Sequence, residues 1–231
     1  MAIEVRQAND DQIVLQYSPL SRGVIYLLAS LKEKNFIPLT NTGALKREYC
    51  HDLARAMRWR NYHENMDEIL QRIRKQSDYP ALGLVRKKAV ELGYTTETDK
   101  CIEVTERGMS QDLTACMIFN AAVHPEAVSA IAEAENAFAR TNLPKVEVFL
   151  QSISDAGADG YAIQKLLNIV LQDARTPPQR SSSTSNVIRP KLFMPMVEYG
   201  LLTTAESRPV IPINATLRAT PLFDLTVKIS A

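Results

Sequence analysis

One segment pattern occurs twice in this chain of 231 residues: a basic, apolar-striped helix, then a glycine, then β-forming residues. The first copy is Ala81-Leu82-Gly83-Leu84-Val85-Arg86-Lys87-Lys88-Ala89-Val90-Glu91-Leu92-Gly93, followed by Tyr94-Thr95-Thr96 and by Cys101-Ile102-Glu103-Val104-Thr105. The second is Val187-Ile188-Arg189-Pro190-Lys191-Leu192-Phe193-Met194-Pro195-Met196-Val197-Glu198-Tyr199-Gly200, followed by Leu201-Leu202-Thr203-Thr204 and by Val210-Ile211-Pro212-Ile213. A glycine directly after a periodic helix closes it, because it accepts positive φ at little cost. The repeat therefore predicts two units, each carrying a helix ahead of a short hairpin. The copies are unequal. Pro195 removes an intrahelical donor and predicts a kink or a division of the second helix. That copy also follows the polar stretch 176–186, which reads as a loop.

The rest of the chain fills in around these copies. Residues 1–16 read as an arm or edge strand. Ser21 predicts a cap for a helix over 22–34, with Val24, Ile25, Leu27, Leu28 and Leu31 as its apolar stripe. A short extended piece at 36–39 and the turn Asn41-Thr42-Gly43 follow. Helices are expected over 44–57 and 64–75, with Pro80 starting the basic helix. Thr98-Asp99-Lys100 turns the hairpin, and Ser110 opens a helix to about 120. Pro125 to Ala139, rich in alanine and glutamate, is helical, and further helices are expected over 144–154 and 161–173. The fold class is mostly α with small β-hairpins, with a division into 1–120 and 121–231.

Composition narrows the functional classes. The formal net charge is +1, so any basic surface must be local. Cys50, Cys101 and Cys116 are widely spaced and odd in number, which disfavours a disulfide framework and fits a reducing cytoplasm. The N-terminus lacks the apolar core of a signal peptide, and no apolar run approaches a membrane span of about 18 residues.

Leu39-Thr40-Asn41-Thr42-Gly43-Ala44-Leu45-Lys46-Arg47 resembles the phrase that leads into a basic helix in bacterial winged-helix DNA-binding proteins. Ile102-Glu103-Val104-Thr105-Glu106-Arg107-Gly108 resembles their wing exit. Helicase-associated winged helices and recognition domains of restriction enzymes carry such phrases. The resemblance spans about 22–119. In the second half only the element order is similar, and Thr220-Pro221-Leu222-Phe223 lacks the glycine. The resemblance implies two winged-helix-like units, each placing a third helix and a wing against its ligand.

On this reading duplex DNA is the expected partner. Arg86, Lys87 and Lys88 would make groove or phosphate contacts, and Lys46, Arg47 and Arg55 would position the duplex, with Arg58 and Arg60 extending that surface. Arg189 and Lys191, with Arg180, Arg208 and Arg218, are the counterparts in the second half. Each cation taken alone also reads as part of a solvated face around an apolar core, and Glu97, Asp99 and Glu103 weaken the wing's attraction for phosphate. The alternative is a protein–protein assembly subunit or homo-oligomer, since such folds also serve as rigid interaction modules. No enzyme activity, cofactor or metal is expected. His51, His63 and His124 are scattered, Cys50 and His51 face different directions as helix neighbours, and no phosphate-cradling glycine loop is present.

Overall fold

The computed structural model describes residues 2–57, 73–78, 80–110, 112–166, 187–204 and 215–230. It forms two compact units, one of residues 9–123 and one of residues 1–8 with 124–231. Both are mostly helical with small antiparallel sheets. The strand that opens the chain, β1 (Ala2–Val5), belongs to the second.

In the unit 9–123, α1 (Asp11–Tyr17) is capped by Asp10, whose carboxylate accepts from the Gln12 and Ile13 amides at 2.9 and 3.0 Å. α2 (Pro19–Lys34) follows at once. Its cap is Ser18, three residues before the expected Ser21, because Pro19 starts the helix where its missing N–H has no intrahelical role. The Ser21 hydroxyl is buried 2.9 Å from that of Ser18. α2 buries Leu20, Val24, Leu27, Leu28 and Leu31. Arg22 on its flank donates to the carbonyls of Leu15, Gln16 and Met57.

β2 (Phe36–Pro38) leads to α3 (Arg47–Met57). The helix expected from residue 44 begins at 47, because residues 40–45 close a turn. There the Thr40 amide donates to the Ala44 carbonyl at 2.8 Å and Leu39 bridges Leu45. The helix expected over 64–75 lies outside the described residues up to 72, and residues 73–75 are not helical. A 3-10 turn (Gln76–Asp78), α4 (Pro80–Glu91), β3 (Thr95–Glu97) and β4 (Cys101–Val104) follow. The sheet order is β2-β4-β3, with Ile102 opposite both Ile37 and Glu97. The unit thus runs through helices, a strand, further helices and a hairpin whose last strand lies central in the sheet. The single helix expected from 110 to 120 is instead α5 (Glu106–Ser110), α6 (Ala115–Ile118) and a π-helical turn (Phe119–Val123). Thr114 caps α6, and Asp11 accepts from the Cys116 amide at 2.7 Å.

The other unit opens with α7 (His124–Arg140), which buries Ala127, Ile131, Ala134 and Phe138. Together with the turn of α6, it completes a helical run, Ala115–Arg140, that is long and apolar enough by length and composition alone to cross a membrane. Then come α8 (Val146–Asp155) and β5 (Tyr161–Ala162). The helix expected from 161 starts at 163, because Tyr161 and Ala162 pair with Leu217 and Thr216. Beyond the polar stretch, which lies outside the described residues, the second basic helix runs unbroken over 187–198 where Pro195 predicts a kink or a division. A π-helical turn (Arg189–Phe193) passes directly into α9 (Met194–Glu198), with Phe193 itself at helical φ −71° and ψ −40°, so Pro195 sits within the run beside the wider turn. β6 (Leu202–Thr204), β7 (Thr216–Ala219), α10 (Pro221–Thr226) and β8 (Val227–Ser230) end the unit. The sheet order β5-β7-β6 matches that of the first unit. Residues 210–213, expected as β, lie outside the described residues.

β1 pairs antiparallel with β8, Ile3 opposite Ile229, and His124 Nε2 lies 3.0 Å from the Val5 carbonyl. The expected division at 120/121 kept this arm with the first unit. The observed division falls at 123/124 and gives the arm to the second, because its backbone partners are there.

Candidate nucleic-acid interface

Both glycines close their helices as the repeat predicts. Gly93 and Gly200 stand at φ 72° and 79°. The Gly93 and Tyr94 amides donate to Val90 and Ala89, and the Gly200 and Leu201 amides donate to Val197 and Met196, at 2.8–3.1 Å. The wing exits repeat too. Thr105 Oγ1 donates to the Gly93 carbonyl at 2.7 Å and accepts from the Gly108 amide at 3.1 Å. Thr220 Oγ1 donates to the Gly200 carbonyl at 2.7 Å and accepts from the Phe223 amide at 3.2 Å. The threonine, not the glycine three residues later, carries this latch, so the second copy keeps it with Phe223 in the glycine's place.

On α4 the three adjacent cations have different surroundings. Arg86 faces inward and is 8% exposed. Its Nε and Nη2 donate to the two Glu97 oxygens at 2.9 and 2.8 Å, a bidentate pair with the wing strand. Its Nη1 donates to Gln76 Oε1 at 2.6 Å and to the Gly43 carbonyl at 3.1 Å. Gln76 Oε1 also accepts from the Leu45 amide at 2.9 Å. Arg86 therefore points into the unit, while the next helix position exposes Lys87. Lys88 is nearly buried, with Nζ 2.9 Å from Glu91. Lys87 is the exposed one, its side chain 68% accessible and 3.4 Å from Glu91. Both lysines hold the Glu91 carboxyl below its usual range, with Lys88 the larger influence.

Lys46 and Arg47 are exposed at the start of α3, and Arg47 Nε lies 3.4 Å from His51 Nε2. Arg55 is exposed with Asp52 at 3.8 Å. Arg58 and Arg60 lie outside the described residues. Sequence reasoning missed Arg74 and Lys75, exposed just before the 3-10 turn, and Lys100, exposed in the wing turn. What ties their segments to α4 is the pairing of Gln76 and Glu97 with Arg86, which has no local signal. The backbone of Arg74 and Lys75 is held by Asp78, whose carboxylate accepts both amides at 2.9 and 3.0 Å and is thereby kept below its usual range.

The second unit presents fewer free cations at the matching positions. Counting back from the glycines, Phe193, Met194 and Pro195 stand where Arg86, Lys87 and Lys88 stand in the first. Lys191 lies 3.6 Å from Glu133. Arg189 is half-buried, and its Nε is buried without a hydrogen-bond partner. Arg180 and Arg208 lie outside the described residues.

Cys50 is fully buried, its Sγ 3.6 Å from the Leu45 carbonyl, and burial pushes its thiol up to about 11. His51 Nε2 is 2.9 Å from the Ile73 carbonyl. His63 lies outside the described residues. Among the described residues, no group of three or more His, Cys, Asp or Glu is arranged to hold a metal ion.

Residues 16–115 match the family model of the Y4jL N-terminal domain. The match runs from the last turn of α1 to the first residue of α6. It takes in the whole α2–β4 assembly, with Arg86 and its partners. No curated protein matches the chain, and no solved structure does.

Proposed function

We propose that the unit 9–123 is a non-catalytic module that binds duplex DNA through its phosphates. One observation carries the reading. The turn ahead of α3, the segment ahead of α4 and the strand β3 all accept hydrogen bonds from the Arg86 guanidinium, through Gly43, Gln76 and Glu97, and exposed cations lie near these meeting points in the chain: Lys46, Arg47, Arg74, Lys75, Lys87 and Lys100. Exposed cations on a helix start, a third helix and a hairpin are the kind of groups that meet a phosphate backbone. The contact set differs from the one expected from sequence. Within this unit Arg55, Arg86 and Lys88 leave it, Arg55 standing beside Asp52, and Arg74, Lys75 and Lys100 enter.

The unit holds 16 Lys and Arg against 15 Asp and Glu, so attraction is local, and binding is modest and strongly salt-dependent. Anisotropy of a labelled duplex, titrated across salt, tests this. The logarithm of affinity should fall against the logarithm of salt with a slope of about −0.9 per phosphate contacted. Removing Lys46 and Arg47 together should make that slope shallower. Affinity that is absent at low salt, or flat across the series, sinks the reading.

A second reading, a protein-assembly subunit, draws on Val90, which is 40% exposed on α4, and on the unit's near-neutral charge. Association through such a face persists as salt rises, and a mass measurement across the same series reveals it.

A further inference from the structure

Arg86 is nearly enclosed, yet four hydrogen bonds join it to three separate segments of the unit. A buried guanidinium is costly unless its donors are met, and here a carboxylate, an amide oxygen and a backbone carbonyl meet them. Gln76 extends the network, because the oxygen that accepts from Arg86 also accepts from the Leu45 amide one residue before Lys46. Each segment tied in this way carries at least one of the exposed cations. Lys46 and Arg47 follow the Gly43–Leu45 turn, Arg74 and Lys75 precede Gln76, and Lys100 sits in the turn between Glu97's strand and β4. Lys87 is the next residue on α4.

We infer that Arg86 is a positioning residue for the DNA interface: it touches no phosphate and fixes the relative placement of the residues that do. The inference rests on the DNA-binding reading. The second unit supplies a contrast, since Phe193 at the matching place can fill a core but cannot tie three segments by hydrogen bonds. The role follows from the planar fork of arginine, whose donors point in several fixed directions, so lysine is no substitute.

The test uses the full chain, a labelled 20-base-pair duplex across a salt series, and amide hydrogen exchange of the free protein. Arg86→Gln and Gln76→Leu should each weaken duplex affinity by about tenfold at fixed salt. The salt slope should stay at its wild-type value, because no phosphate contact is removed. Exchange should quicken at the Gly43–Leu45 turn and in β3. Lys87→Ala should instead reduce the slope by about one and leave exchange unchanged. Gln76→Leu leaves the Arg86–Glu97 pair whole and keeps the test decisive if Arg86→Gln fails to fold. A slope reduced in Arg86→Gln as in Lys87→Ala makes Arg86 a phosphate contact and overturns the inference. Wild-type affinity and exchange in both Arg86→Gln and Gln76→Leu overturn it while the DNA reading stands. A wild-type chain without duplex affinity overturns the DNA reading and with it the positioning role, and exchange then reports only whether Arg86 ties the segments together.

Discussion

The two units solve one structural problem with opposite chemistry. Both close a helix with a left-handed glycine and latch the hairpin back with a threonine hydroxyl. They differ seven residues before that glycine. In the unit 9–123 the position holds Arg86, paired with Glu97 and bonded to Gln76 and Gly43. In the other it holds Phe193, fully buried, with its ring edge-on to Phe149 at 6.5 Å, and Phe149 in turn packs against Phe138 at 5.4 Å. Glu97's counterpart is Thr204, buried in its sheet. A polar hub costs desolvation and holds directions; an aromatic cluster contributes burial and holds volume. The difference teaches that a shared backbone frame leaves the interior of the helix–hairpin joint open to either solution, and the polar one ties together segments that carry exposed cations.

The largest effect should come from the aromatic side. Phe193→Ala should cost about 3–5 kcal/mol in chemical denaturation, because it leaves a cavity beside Phe149 in a fully buried position. Arg86→Met should cost less, about 1–2 kcal/mol, since Glu97 is partly exposed and can be rehydrated. A larger loss in Arg86→Met than in Phe193→Ala would break the contrast.

The latches should behave alike. Thr105→Val and Thr220→Val each remove a helix cap and a hydroxyl donor, and should each cost about 1–2 kcal/mol. A clear loss in one and none in the other would show that the repeated geometry does not carry the same stability.

The smallest effects concern charge. Lys191→Ala should leave the salt slope of duplex binding unchanged, whereas Lys87→Ala should lower it by about one. Equal effects would spread the interface over both units. Acid should also separate them. Hydrogen bonds from the Cys116 and Arg74 amides hold Asp11 and Asp78 below the usual carboxylate range, and Lys88 does so for Glu91. All of these lie in the unit 9–123. Carboxylates depressed in the folded state contribute stability above their ordinary values near 4, and the contribution is lost as pH falls through the folded values. Hydrogen exchange between pH 6 and 3 should therefore show the first unit loosening ahead of the second by a small margin. The reverse order would remove this distinction.

Much of the fold was legible in the residues. Gly93 and Gly200 announced the helix ends and Thr98-Asp99-Lys100 the hairpin turn, because each acts on its own backbone dihedrals, whereas the helix around Pro195 continues through it with a π-helical turn alongside. Ser21 misled because Pro19, two residues earlier, starts the helix and makes Ser18 the cap. The candidate site was less legible. Arg86, Lys87 and Lys88 form one basic run in sequence. Successive helix positions turn by about 100°, and which of them faces inward depends on partners as distant as Gly43 and Glu97.

By itself the sequence determined the periodicities, the glycine and proline stops, the near-zero net charge and the repeated helix–glycine–hairpin order, all of which rest on local geometry and composition. Tertiary structure decided what those could not. It assigned β1 to the second unit through β8, buried Arg86 as a hub while leaving Lys87 exposed, and tied the segments that carry Arg74, Lys75 and Lys100 to the turn ahead of Lys46 and Arg47. The reason is physical: pairing of strands and satisfaction of buried donors are set by groups far apart in the chain, and no local pattern encodes which distant carbonyl or carboxylate will meet them.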